Sequence, residues 1–244
     1  MRVALIIEYD GTAYCGWQVQ PNGITVQEVI ETAYFNLFNE RISLVASGRT
    51  DSGVHALGQV AHFDTALSVP AQSFCFALNA VLPPDIRILK SFETAKDFHA
   101  RYSAKRKKYA YSAYIDRFDR PLKDRYAVRI SPGLDIEKVK RGATLLVGTH
   151  DFASFCSSGS SVKTTVRTIY DIDVKTNGND IKIEVCGNGF LYNMVRIIVG
   201  TLFSLGYGKI GEDDIKSALE KNGRDLLGKT MPARGLTLVS VDYD

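Results

Sequence analysis

The segment Ser47 to Ala56, SGRTDSGVHA, carries one carboxylate, Asp51, on a glycine-flanked stretch with Arg49 just before it and His55 just after. Gly48 and Gly53 permit a tight turn and close approach of a ligand, while Arg49 supplies a fixed cation for an anionic partner. A carboxylate displayed in this way can act as a nucleophile and form a covalent intermediate. The same residues also suit a polar turn in which Asp51 caps its own backbone. Taken alone, the segment does not separate the two.

Arg196 is the second chemically marked position, because it interrupts the apolar run Met194-Val195-Arg196-Ile197-Ile198-Val199. A guanidinium carried into a core needs a carboxylate or several carbonyls, since an unpaired buried charge is strongly destabilising. A structural ion pair or a snorkelling side chain would satisfy it; so would a bond to Asp51, which would hold that carboxylate ionised and aimed. From Phe98 to Ile115 the chain has no acid but carries Arg101, Lys105, Arg106, Lys107 and Lys108, then Tyr109, Tyr111 and Tyr114. Cations neutralise phosphates and rings stack on unpaired bases, so the mixture suits nucleic acid; an edge strand shielded by lysines has the same composition. Ser154 to Arg167 adds hydroxyls with Lys163 and Arg167, fit either for phosphate contacts or for an exposed loop.

These residues need a scaffold, and the patterning supplies one of mixed α and β type. Arg2 to Tyr9 reads as a strand, and Thr25 to Phe38 as a helix opened by a Thr25-x-x-Glu28 capping box. Strands near 42–46 and 58–65 would leave the Asp51 segment as a loop between them, where rigid scaffolds display chemistry. A helix after Pro70 and a strand near 86–93 complete a β-α-β-β-α-β order, the split ferredoxin-like unit. A looser second set follows: a strand 109–115, a helix 135–147, and strands 166–175 and 181–185 joined by the hairpin signal Asn177-Gly178-Asn179. Helices 190–205 and 213–221 and a strand 236–243 close it. The simplest division is two α+β domains, 1–103 and 104–244.

Composition bounds the rest. With 244 residues, 45% hydrophobic and 23% charged, the chain can bury a proper core. The start reads as a strand rather than a secretory leader, and no apolar run reaches about 18 residues, so no membrane insertion is expected. Cys15, Cys75, Cys156 and Cys186 lie far apart, without metal-ligand spacing, which fits reduced thiols in the cytoplasm. The net charge of +3 specifies no partner by itself.

In order along the chain stand Y-D-G-T-x-Y-x-G-W-Q-x-Q (Tyr9 to Gln20), G-R-T-D-x-G-V-H-A (Gly48 to Ala56), G-Q-V-A-H-F (Gly58 to Phe63) and F-H-A-R-Y-S-A (Phe98 to Ala104). K-Y-x-Y (Lys108 to Tyr111), H-D-F-x-S-F (His150 to Phe155), G-F-L-Y-N-M-V-R (Gly189 to Arg196) and P-A-x-G-L (Pro232 to Leu236) follow. In this joint order the chain closely resembles the TruA-type tRNA pseudouridine synthases, nearly end to end. Ser52 stands where that family more usually has alanine, one small residue for another.

The resemblance implies two ferredoxin-like or RRM-like α+β domains with mainly antiparallel sheets, the pseudouridine synthase fold, with the active-site cleft between them. It implies an isomerase that converts uridine to pseudouridine in the anticodon stem-loop of tRNA, around positions 38 to 40. No cofactor or metal is implied, and the active form is expected to be a homodimer. By resemblance Asp51 is the nucleophile, at either the sugar C1′ or the uracil C6. Arg196 matches its basic partner, Tyr109 the ring that stacks on the target uracil, and Arg49 the arginine associated with flipping the nucleotide. Phe98, His99, Ala100, Arg101 and Tyr102 match an RNA-contacting segment, and Gly159, Ser160, Ser161, Val162 and Lys163 fall where the family also touches tRNA. His55, His62, His99 and His150 are expected to serve structure or RNA contact rather than acid-base catalysis. The rival classes are an RNA-binding module in which Asp51 only shapes a loop, and an aspartate-based hydrolase. A hydrolase would want a second carboxylate or a metal.

Overall fold

Thr25 caps the first helix as its spacing predicts: its side chain accepts the Glu28 amide at 3.4 Å in extended backbone, and α1 runs Val26–Phe38 from there. The computed structural model describes residues 1–159, 162–221 and 223–244. The chain divides into two units, and the first begins with β1 (Arg2–Tyr9), α1, β2 (Val45–Ala46), β3 (His55–Asp64), α2 (Ser73–Asn79) and β4 (Ile86–Thr94). This is the β-α-β-β-α-β order expected. β1 lies between β3 and β4 and is antiparallel to both, with Val3 opposite Phe63 and Leu5 opposite Ala61.

Against this sheet α1 buries Val26, Ile30, Ala33 and Tyr34, and α2 buries Phe74 and Leu78. The Tyr34 ring stacks on Phe74 at 5.8 Å and meets Phe63 edge-on at 5.2 Å. Each such ring contributes roughly 1.5–3 kcal/mol by burial, which is why an amphipathic pattern suffices to seat the helices. β2 is shorter than the 42–46 expected. Only Val45 and Ala46 pair with β3, opposite His62 and Ala61.

The second unit holds β5 (Arg106–Ile115), β6 (Val128–Ile130), α3 (Ile136–Leu145), β7 (Gly148–Asp151), β8 (Val166–Asn177), β9 (Asp180–Gly187), α4 (Met194–Gly206) and α5 (Glu212–Lys221). Its strands run in the order β5-β9-β8-β7, all antiparallel, with β6 added in parallel to β5. Asn177 pairs with Asp180, so Gly178, at φ +57°, and Asn179 form the two-residue hairpin loop. Asp135 caps α3 by accepting the Lys138 amide at 3.0 Å. α4 starts four residues later than the expected 190, because Asn193 takes a left-handed conformation at φ +62° that no helix can contain.

The last strand, β10 (Leu236–Asp242), departs from a division at 103/104. From Thr237 onward it belongs to the first unit, which comprises Met1–Lys105 and Thr237–Asp244, while the second is Arg106–Leu236. Thr237 and Leu238 pair in parallel with His55 and Ala56, and Tyr243 donates its hydroxyl to Ala100 O at 2.8 Å. The fold is thus mixed α and β, as the patterning implied, with mostly antiparallel strands, as the resemblance implied. Among the described residues, no helix is long and apolar enough to cross a membrane.

Candidate active site

Residues 47–54 form the loop between β2 and β3 that carries Asp51. At its entry the buried Ser47 donates its amide to Val60 O at 2.7 Å and its hydroxyl to Gln59 Oε1 at 2.7 Å. Gln59 in turn donates to Gly48 O at 2.9 Å. Gly53 adopts φ +76°, a conformation that favours glycine. The Val54 amide reaches back to Asp51 O at 3.1 Å and closes the turn. Asp51 is left half-buried and Arg49 exposed.

The Tyr9 to Gln20 motif supplies the bed for this loop. The buried Tyr9 hydroxyl bonds Thr50 Oγ1 at 2.8 Å, and the Trp17 amide donates to Thr50 O at 3.1 Å. Tyr14 O accepts from the Ser52 hydroxyl at 3.2 Å and from the Gly53 amide at 3.4 Å. Two glycines make the contact possible. A Cβ on Gly11 would lie 2.0 Å from Val54 O, and one on Gly16, at φ +89°, would lie 2.6 Å from Thr50 O and 3.1 Å from the Asp51 carbonyl carbon. His55, 4% exposed at the start of β3, accepts the Gly11 amide on Nδ1 at 3.1 Å, with Asp10 Oδ1 also 3.1 Å from that nitrogen. Its ring thus lies between a backbone amide and a carboxylate.

Phe98 to Tyr102 gather on His62, seven residues further along β3 and so about 23 Å from its loop end at the usual rise per residue. His62 Nδ1 accepts the Ala100 amide at 3.2 Å; burial first, then the charges of Arg2 and His99, hold its imidazole below the usual histidine range. His99 Nδ1 accepts the amides of Arg101 at 3.1 Å and Tyr102 at 3.3 Å, and its ring lies 4.3 Å from that of Tyr102. Tyr102 is 77% exposed, with the Arg101 guanidinium 5.8 Å from its ring centre. An exposed ring beside a cation can stack a base and meet a phosphate. These residues share a unit with Asp51 but do not adjoin its loop along β3.

In the second unit the structure draws Tyr109 and the Arg196 motif together. Tyr109, on β5 opposite Val185, is largely buried and meets Phe190 edge-on at 5.2 Å. Tyr111 shares its face of β5 and donates its hydroxyl to Pro232 O at 2.8 Å. Burial pushes that phenol up, and the charges of Arg196 and Arg234 pull against it. Arg196 is half-buried in the first turn of α4, where Nε donates to Met231 O at 2.6 Å and Nη1 to Asn193 Oδ1 at 2.6 Å. A carbonyl and an amide oxygen thus meet part of the need that an arginine in an apolar run creates.

Sequence reasoning gave no role to four contributors here. Asn193 orients the guanidinium and also donates to Ser157 Oγ at 2.9 Å. Gly200 and Gly228 let residues 228–231 press on α4: a Cβ on Gly200 would meet Lys229 O at 1.8 Å, and one on Gly228 would meet Gly200 O at 2.1 Å. A lone glycine inside a helical pattern was the available signal for Gly200, whereas the Met231 carbonyl, a backbone group, leaves none. The loop after Ser157 is tied at its base, where the Ser157 amide donates to Tyr192 O at 3.1 Å. Gly159, Val162 and Lys163 are exposed; Ser160 and Ser161 lie outside the described residues. Among the described residues, no group of three or more His, Cys, Asp or Glu is placed to hold a metal ion.

A family model described as tRNA pseudouridine synthase matches residues 5–103 and 143–244. The tRNA pseudouridine synthase A of Acetivibrio thermocellus is 51% identical over 242 residues, 99% of each chain. That of Bacillus subtilis is 48% identical over 247 residues, 100% of each chain. A solved Cbf5-Nop10-Gar1 complex aligns at 15% identity and a TM-score of 0.38 over 82% of this chain and 45% of that one, too slight a likeness to decide anything. Two full-length relatives near half identity and a family model covering both units leave one assignment: the chain belongs to the tRNA pseudouridine synthase family.

Proposed function

We propose that this chain isomerises uridines in the anticodon stem-loop of tRNA, around positions 38 to 40, with Asp51 as nucleophile. Membership of the family makes it an isomerase that forms pseudouridine in tRNA. The reaction balances without an outside reagent: the C1′–N1 bond breaks, a C1′–C5 bond forms, C5 loses a proton and N1 gains one. Asp51 adds to C1′ or to C6 and is released when the new bond is made. Arg196 pairs with the carboxylate and keeps it ionised, and the Tyr109 ring stacks on the uracil. Arg49, exposed on the same loop, offsets part of the cost of extruding the nucleotide. The proton leaving C5 passes to Tyr109 or to water.

Phe98 to Tyr102 and the 159–163 loop hold the RNA body, in a homodimer acting in the cytoplasm. The single observation that carries this reading is the presentation of Asp51. The residue is half-buried while the backbone around it is bonded to Tyr14, Trp17 and Gln59. Reaction centres need that combination of access and rigidity.

The test is tritium release from unmodified tRNA carrying 5-tritiated uridine, with wild type and Asp51→Asn. Release by wild type and none by the variant, with tRNA binding kept, is the expected result. Release by both would remove Asp51 from the chemistry.

A further inference from the structure

We propose that His55 is a positioning residue for Asp51: as a hydrogen-bond acceptor it locks Gly11, just past the end of β1, beneath the loop. This rests on the reading of Asp51 as the nucleophile. His55 is 4% exposed, so its ring is unsuited to contact a large substrate, and among its contacts is the backbone of the bed on which the loop sits. Nδ1 lies 3.1 Å from the Gly11 nitrogen and 3.1 Å from Asp10 Oδ1.

One ring nitrogen cannot accept from the first and donate to the second at the same time. Asp10 Oδ1 already accepts the Thr12 amide at 3.0 Å and the Thr12 hydroxyl at 2.5 Å. Gly11, by contrast, is pressed so closely on Val54 that a Cβ there would lie 2.0 Å from Val54 O. An amide in such a place is costly to leave without an acceptor. A ring that accepts on Nδ1 satisfies it and pins Gly11 to Val54, three residues beyond Asp51. The Val54 amide then carries the constraint to Asp51 O at 3.1 Å. His55 is itself anchored, since it opens β3 and pairs with Thr237 of β10.

Asparagine and glutamine separate this role from mere filling of space. Asn places an amide oxygen near the position of Nδ1, within reach of the Gly11 amide; Gln moves it one methylene outward. Tritium release would be followed for wild type, His55→Asn, His55→Gln and Asp51→Asn, with turnover counted per molecule competent to bind tRNA. In His55→Gln, kcat is expected to fall about a hundredfold, the scale of a displacement of roughly 1 Å, and in His55→Asn less than about tenfold, with KM for tRNA unchanged in both. Equal kcat in the two variants, at whatever level, would overturn the proposal. A rise in KM at constant kcat would do the same. Turnover by Asp51→Asn would sink the nucleophile reading instead, so the two failures are distinguishable.

Discussion

Gly16→Ala should damage the enzyme through the bed beneath Asp51 rather than through any lost contact. The new methyl would lie 2.6 Å from Thr50 O, 3.1 Å from the Asp51 carbonyl carbon and 3.2 Å from the Ser52 nitrogen. All three are backbone atoms, so no flexible side chain can move aside. Relief requires residues 14–17 to part from the loop, weakening the Trp17 to Thr50 bond and the two bonds to Tyr14 O. Overpacking of this kind costs about 1–3 kcal/mol, and a φ of +89° adds about 1–2 kcal/mol for a residue with a Cβ. At about 2–4 °C per kcal/mol in a chain of this size, Tm should fall by roughly 4–20 °C. A loop displaced by about 1 Å should lower kcat about a hundredfold.

Gly133→Ala is the matched control. Gly133 has φ +96° but nothing within 4 Å of its would-be Cβ, so it isolates the backbone strain. Thermal unfolding and tritium release at saturating tRNA read both quantities. If Gly16→Ala behaves like Gly133→Ala in stability and keeps wild-type kcat, the loop is not held by this contact and the reasoning fails.

Arg196→Lys keeps the charge but cannot reproduce donation from Nε to Met231 O and from Nη1 to Asn193 Oδ1 together. Loss of one charge-assisted bond, about 1.5–3 kcal/mol, predicts a fall in kcat of tenfold or more, and unchanged kinetics would remove the side chain's geometry from the mechanism. Glu184 is held at about 2 by Lys175 first, at 2.8 Å, and then by Lys182 at 2.9 Å. A folded pKa below the unfolded one stabilises above the ordinary carboxylate pKa and ceases to do so as pH falls through the folded value. Glu184→Gln should therefore lower stability by about 1 kcal/mol at neutral pH, allowing for solvent screening, with the difference closing between about pH 4.5 and pH 2 in a Tm series. A gap constant with pH would contradict it.

Most elements were legible because local chemistry specifies them. Thr25 and Asp135 announce their helices by capping, and Asn177 to Asn179 mark a hairpin that the register confirms. β7, Gly-Thr-His-Asp, escaped notice because it has no apolar alternation and exists by pairing with β8. β6, three residues long, is too short to show a period. Asp51, Arg49 and Arg196 stood out by residue type and setting, whereas the roles expected of them and of Tyr109 came from motif order, not from patterning. What patterning could not reveal is how backbone meets backbone: Gly16 against Thr50, Gly11 against Val54 and Gly200 against Lys229 are long-range approaches. A glycine in a sequence says only that room exists. It does not say what fills the space.

The return of β10 to the first unit orders events during synthesis. Translation delivers β1 to β4 and the Asp51 loop early, yet the edge of β3 beside that loop waits for Thr237 and Leu238. All of the second unit, Arg106–Leu236, is made in between. The nascent first unit therefore carries an unfilled sheet edge, a template for wrong pairing, until the ribosome has finished the second. The segment bearing Asp51 is among the first to emerge and among the last to be completed, so a nascent chain halted anywhere before Thr237 lacks the strand that seats His55.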